Sequence, residues 1–263
     1  MRHDYRLTTV VSVSQTTQPL RSENSKLNSL ARVWEWLVTS FRAVEATTWG
    51  ALLLGNVWPA YVFALPLAAR IWNLSRSQRP MTSLHAQAQL LQEGVTVVFL
   101  GLVVLLFIIR RRTIRGERAT LTPGLVALVG TFLLNVVAYL PVEDTTSTAA
   151  LLASSGVVIV GTLFTIWSLA TLGRCFGIFP EVRGLVIRGP YRLVRHPVYL
   201  GEGIAAVGLL IAKPHPLIVL IFGAFIALQY CRAVYEERAL RAAFPDEYPA
   251  YARRVPRLIP GLR

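Results

Sequence analysis

Apolar residues gather along this chain into long blocks joined by short polar links. The first ordered pattern begins at residue 30. Leu30, Val33, Trp34, Leu37, Val38, Phe41 and Val44 recur at three- and four-residue steps, which is one face of a helix. Arg32, Glu35 and Arg42 lie off that face. A tryptophan-bearing amphipathic helix ahead of a membrane span predicts an interfacial element over residues 28–46. Packing on a soluble partner is the other use of such a face. Residues 1–27 are rich in Ser, Thr, Gln and Arg around no apolar core, which predicts a disordered polar tail rather than a signal peptide or a span.

Six further blocks approach the roughly 20 residues that a helix needs to cross about 30 Å of hydrocarbon. The first runs from Trp49 to Ala69, the second from Leu90 to the Arg110-Arg111-Arg112 run, the third from Leu121 to Pro141, and the fourth from Thr148 to Leu172. The last two, Pro197 to Ala212 and Leu217 to Tyr235, are separated by Lys213-Pro-His-Pro216. Two prolines in so short a link predict a tight helical hairpin. The predicted fold is all-α: a polytopic helical membrane protein with about six transmembrane helices. Its N-terminal spans occupy residues 47–172. Its C-terminal half, 173–263, carries the hairpin, a cytoplasmic tail and a cofactor pocket on the cytoplasmic side. No internal repeat or inverted pair of broken helices supports a transporter.

Composition agrees. Apolar residues make up 54% of the chain and charged ones 16%, below the quarter usual for a soluble domain. The net charge of +13 does not point to nucleic acid, because the arginines flank apolar blocks instead of forming a basic stripe. With the N-terminus on the cytoplasmic side, 23 of the Lys and Arg residues fall on inner segments (1–48, 110–118, 173–196 and 232–263). Only Arg70, Arg76, Arg79 and Lys213 fall on outer links. That bias predicts both termini and the site on the cytoplasmic side, with the acidic link Glu143-Asp144 outside. Cys175 and Cys231 form no CxxC pair and predict reduced thiols. Four histidines without HxxxH spacing predict no metal site.

The chemistry concentrates late in the chain. In Arg195-His196-Pro197, proline suits the first helical position and places the two preceding side chains at a helix N-terminus, which attracts anions. A topological arginine with an incidental histidine would look the same. Glu202 lies inside the following apolar block, where a carboxylate is unfavourable unless paired or reached by water. Arginines of the preceding loop are its expected partners, in a polar pocket wall or a structural salt bridge. Arg232 and Glu236, four apart, share one helix face, in the less favourable order for a simple surface pair. Glu236 and Glu237 point about 100° apart, so one is expected to face the pocket and the other water. Tyr191, Tyr199 and Tyr235 complete an expected aromatic wall. Such a pocket suits a zwitterionic cofactor and an apolar co-substrate. Gly201-Glu-Gly203 is half a dinucleotide fingerprint, but it opens a membrane helix and follows no strand.

Two ordered motifs now carry a resemblance. Leu185-Val186-Ile-Arg-Gly189-Pro190-Tyr191 followed by Arg195-His196-Pro197-Val198-Tyr199-Leu-Gly201-Glu202 matches LVxxGPYxxxRHPxYxGE. Glu236-Glu237-Arg-Ala-Leu240, Phe244, Tyr248, Tyr251, Val255-Pro256 and Ile259-Pro260 follow at suitable spacing. Over residues 170–263 the chain resembles the isoprenylcysteine carboxyl methyltransferase-like integral membrane methyltransferases. The resemblance implies S-adenosylmethionine as methyl donor, held by Leu185, Val186, Tyr191, Arg195, His196, Pro197, Val198 and Glu236. It implies that Arg232 meets the methyl acceptor. We expect Arg232 and Glu236 to carry catalysis, and Arg232, Tyr199 and Glu202 to bind a lipid or lipidated acceptor. Some relatives place a histidine two residues before the Leu-Val pair; this chain has Arg183 there.

Methyl transfer from a sulfonium to an anion removes charge, so a water-poor site favours it. A carboxylate acceptor, with a pKa of about 4, needs no general base; it needs a positioned cation such as Arg232. An amine or thiol acceptor would need His196 or Glu236 as base. Two other readings compete. Membrane sterol reductases, which use NADPH, share an RHPxYxGE-like motif and a tail like Val255-Pro256…Ile259-Pro260-Gly261. A non-catalytic membrane scaffold is the other.

Overall fold

The computed structural model describes Thr47 and residues 53–76, 83–111, 121–142 and 147–261. The polar tail expected over 1–27, the interfacial helix expected over 28–46 and the link Glu143-Asp144 lie outside these residues. Apart from Thr47, the described residues fall in one unit, Leu52–Arg263. Among them there is no strand, in keeping with the all-α expectation.

Among the described residues seven α-helices follow in order. After one π-helical turn, Leu53–Val57, come α1 (Trp58–Arg76), α2 (Leu84–Ile109) and α3 (Leu121–Phe132), which tightens into a 3-10 helix over Leu133–Tyr139. Then come α4 (Thr148–Leu172), α5 (Pro197–Ala212), α6 (Pro216–Ala243) and α7 (Glu247–Arg254). Their ends follow local chemistry. Ser83 Oγ accepts the Ala86 N–H at 3.1 Å to cap α2, and Ser147 caps α4 through Ala150. Gly173, at φ 56°, stops α4. Pro197 and Pro216 each open a helix, where no backbone donor is lost. Leu140 is extended because Pro141 follows it.

Three of these stretches are long and apolar enough to cross a membrane: Ala86–Ile109, Thr148–Cys175 and Pro216–Ala243. Thr122–Val137 and Pro197–Ala212 are shorter apolar helices. The first block is the clearest departure. Its expected start at Trp49 lies outside the described residues; the α-helix described runs from Trp58 past Ala69 to Arg76, taking in Arg70 and Arg76, and it is not among the three. The helix of the last apolar block, α6, extends past Tyr235 to Ala243, which carries both glutamates of the tail motif on it.

The tight helical pair is also not the expected one. α5 packs chiefly along α4 and only lightly against α6, although three residues join α5 to α6. Glycine is the reason. A Cβ on Gly161 would stand 2.7 Å from the Gly201 carbonyl oxygen, and one on Gly201 would stand 2.9 Å from that of Gly161. Ser154 Oγ donates to the Gly208 carbonyl at 2.8 Å. Small residues let backbones approach where no hydrophobic drive exists between helices in lipid. Gly201→Ala is expected to lower stability by about 1–3 kcal/mol, read as a lower thermal midpoint in detergent; an unchanged midpoint would mean that the helices can part at no cost.

On the other side of α4 lies α2. Phe107 meets Phe176 edge-on at 5.0 Å and stacks with Phe63 at 5.7 Å, and Phe63 stacks in turn on Phe132 at 5.8 Å. This aromatic block supports one end of a cavity formed mainly by the C-terminal half.

Candidate active site

The loop after α4, the start of α5 and the last third of α6 enclose a cavity of about 160 Å³. Tyr248 and Tyr251 of α7 close one side. Phe63, Phe99, Val103 and Thr131 reach it from α1, α2 and α3. Of the residues singled out in the sequence, Leu185, Val186, Tyr191, Arg195, His196, Val198, Tyr199, Glu202, Arg232 and Glu236 all line it. Pro197 does not; it is buried at the first position of α5, where it fixes the turn. Tyr235 does not line it either, and instead lies under the Arg238 guanidinium at 5.7 Å.

Arg232 is buried, with its guanidinium carbon 4.7 Å from the centre of the Tyr199 ring. Gly130 of α3 leaves the room: a Cβ there would stand 3.0 Å from Arg232 Cδ. Arg232 Nη1 donates to Gln229 Oε1 at 2.9 Å, and Gln229 Nε2 donates in turn to Glu202. Glu202 is therefore held by α6, not by arginines of the preceding loop. The Nε–H of Arg232 is buried without a partner, which leaves a donor for a bound group.

One turn on, Glu236 accepts from the Tyr199 hydroxyl and lies 3.5 Å from His196 Nδ1. The imidazole also stacks on the Tyr199 ring, with centroids 5.5 Å apart. Glu237 departs from expectation, because it faces no water. It is buried under cations: Arg195 Nη1 at 2.9 Å, His196 Nε2 at 3.3 Å, and Arg257 through Nε at 2.8 Å and Nη2 at 3.0 Å. Arg257 escaped the sequence reading, since nothing in spacing links it to a glutamate twenty residues earlier. Arg253 and Arg254 are exposed and outside the cavity. Arg183 lines the cavity, buried, and pairs with Glu181 at 2.5 Å. Cys175, a free thiol, lines it too; Cys231 is free and exposed.

Burial alone would lower the pKa of His196, but the hydrogen bonds and charges of Glu236 and Glu237 outweigh it, and the net direction is upward. Burial raises Tyr191 well above the usual phenol, and raises Tyr248 to about 12, so both remain neutral donors at neutral pH. The sign for stability follows from the imidazole. Its contribution is complete below the unfolded value of about 6.5 and is lost as pH rises through the higher folded value. The thermal midpoint should fall across that upper window, and His196→Gln should flatten the fall. A wild-type midpoint independent of pH there would contradict the assignment.

Residues 147–247 match the family model for phospholipid methyltransferases. Protein-S-isoprenylcysteine O-methyltransferase B of Arabidopsis thaliana is 30% identical over 109 residues, 39% of this chain and 55% of that protein. A probable protein-S-isoprenylcysteine O-methyltransferase of Oryza sativa subsp. japonica is 34% identical over 104 residues, 37% of this chain and 54% of that protein. The resemblance stated from the motifs is thereby borne out. The C-terminal segment is similar to that of isoprenylcysteine methyltransferase-like membrane proteins. The cobalt-zinc-cadmium resistance protein CzcN of Cupriavidus metallidurans is 36% identical over 100 residues, 36% of this chain and 46% of that protein. The chain spans about half the length of these curated relatives. A solved eukaryotic intramembrane Ras methyltransferase, isoprenylcysteine carboxyl methyltransferase, covers 90% of this chain and 86% of its own at 16% identity, with a TM-score of 0.41.

Proposed function

We propose that this chain is an integral membrane methyltransferase that takes a methyl group from S-adenosylmethionine and gives it to a lipid-like acceptor, a carboxylate being the favoured group. One observation carries the reading. Arg232 and Glu236, one turn apart on α6, open into the same cavity as Arg195-His196 at the start of α5. A free cation donor and an anion thus face one space with apolar walls.

The residues fit the donor. Both lining the cavity, Glu236 would offset a cationic amino group and the Tyr191 ring a sulfonium. Leu185, Val186 and Val198 offer apolar contact, and Arg195 and His196 stand at the same wall. S-adenosylmethionine, when bound, supplies an electrophilic methyl group on sulfur. Arg232, with its free Nε–H, would hold the acceptor carboxylate through charge-assisted bonds. A carboxylate acceptor held there would have no proton to lose, so no general base would be asked of His196 or Glu236. Tyr199 and Glu202 fix Arg232 from below through stacking and Gln229.

Phe63, Phe99, Val103 and Thr131 lie outside the matched segment 147–247. Acceptor choice on this reading is set by α1 to α3. The relatives named for isoprenylcysteine favour a lipidated protein as the acceptor. On the same reading the chain crosses the membrane six times, with both termini and the cavity mouth on the cytoplasmic side, as the arginine bias favours. Detergent-purified protein should bind S-adenosylmethionine and not NADPH. Labelled donor added to membranes should mark an alkali-labile ester in a lipid or lipidated fraction. Binding of NADPH alone would replace this reading with a reductase.

A further inference from the structure

Arg257 does not line the cavity, yet it joins two segments that wall it. Its Nε and Nη2 grip both oxygens of Glu237, at 2.8 and 3.0 Å. Its Nη1 donates to the Tyr230 hydroxyl at 2.8 Å, and its guanidinium lies 5.1 Å from the centre of the Tyr230 ring. Tyr230 and Glu237 are two turns apart on α6, so the side chain is laid along that helix. The backbone of the same residue holds the start of α5. The Arg257 carbonyl accepts the His196 N–H at 3.1 Å, and the Pro256 carbonyl accepts that of Arg195 at 2.8 Å.

We propose that Arg257 is a positioning residue: it clamps Glu237 and thereby fixes His196 and Arg195 against the donor-binding wall. This rests on the proposed methyltransferase reading only for the ligand; the clamp itself is a matter of geometry. A planar fork on a carboxylate removes its freedom to rotate. Glu237 Oε1 receives Arg257 Nε, Arg195 Nη1 and His196 Nε2 together. Three donors share one oxygen, so Arg257 governs how strongly that oxygen holds the imidazole. His196 is faced by Glu236 and Glu237 from α6, by Tyr199 from α5, by its neighbour Arg195, and by the tail through Arg257. Without Arg257, Glu237 turns more of its charge toward His196, and one nearby cation is gone. Both changes favour the imidazolium.

The test uses the full chain in detergent, with histidines isotope-labelled and the His196 signal assigned by its loss in His196→Gln. In Arg257→Ala the ring of His196 should titrate at higher pH than in the parent, and S-adenosylmethionine should bind about tenfold or more weaker, as displaced binding groups cost. Arg257→Lys, which keeps the charge without the fork, should move both readouts part of the way and covers the case in which the alanine variant fails to fold. An unmoved His196 titration in the folded variant overturns the proposal. So does a moved titration with donor binding unchanged, because the clamp would then position nothing that matters. If the parent itself binds no S-adenosylmethionine, the methyltransferase reading fails, and the titration alone decides the clamp.

Discussion

Arg232→Ala should lower kcat/KM for the methyl acceptor by about two to three orders of magnitude, the usual loss when a preorganised charge partner of a reacting group is removed. The guanidinium is buried, stacked on Tyr199 and bonded to Gln229, with its Nε–H still free. Removing it also strands Glu202 beside Gln229, so some stability is expected to go with it. Arg232→Lys separates the two effects. A lysine ammonium still offsets Glu202 and Glu236, but it cannot form a fork. The lysine variant should keep its thermal midpoint and its S-adenosylmethionine affinity, while KM for the acceptor rises. Full acceptor turnover in purified, folded Arg232→Lys or Arg232→Ala would remove Arg232 from the reaction.

The neighbouring glutamates should fail in different ways. Glu237→Ala leaves Arg195, His196 and Arg257 without their shared carboxylate in a buried place. Uncompensated buried charge of that kind costs about 3–5 kcal/mol, enough to consume much of a typical folding margin. We expect low yield in membranes and a steep drop in thermal midpoint. Glu236→Ala should insert and fold near normally but lose donor binding, because its carboxylate faces the cavity. Thermal unfolding and donor titration, run on both variants, separate the two roles. A stable Glu237→Ala protein, or a Glu236→Ala protein with unchanged donor affinity, would reverse the assignment.

Much of this arrangement was legible from sequence, and the exceptions have physical causes. α4 reads correctly because a serine cap and a glycine stop bracket one unbroken apolar run. α5 reads correctly because prolines frame it. The end of α1 does not, because the helix runs on through Arg70 to Arg76 where the apolar count stops at Ala69. The α4–α5 seam was invisible, since glycine contributes nothing to an apolar count yet decides how close two backbones come. At the site, the two motifs put ten of the expected side chains around one cavity. The misses lie in pairing. Gln229 is uncharged and sent no signal as the partner of Glu202. The turn angle between Glu236 and Glu237 says that they diverge, not what each will meet. Arg257 reaches Glu237 only because the tail folds back over the start of α5.

The glycine seam also fixes one side of the chamber. With α4 and α5 in backbone contact, no side chain can be wedged between them. Any widening of the space must therefore come from its other walls, and a larger residue placed in the seam would be felt along both helices at once.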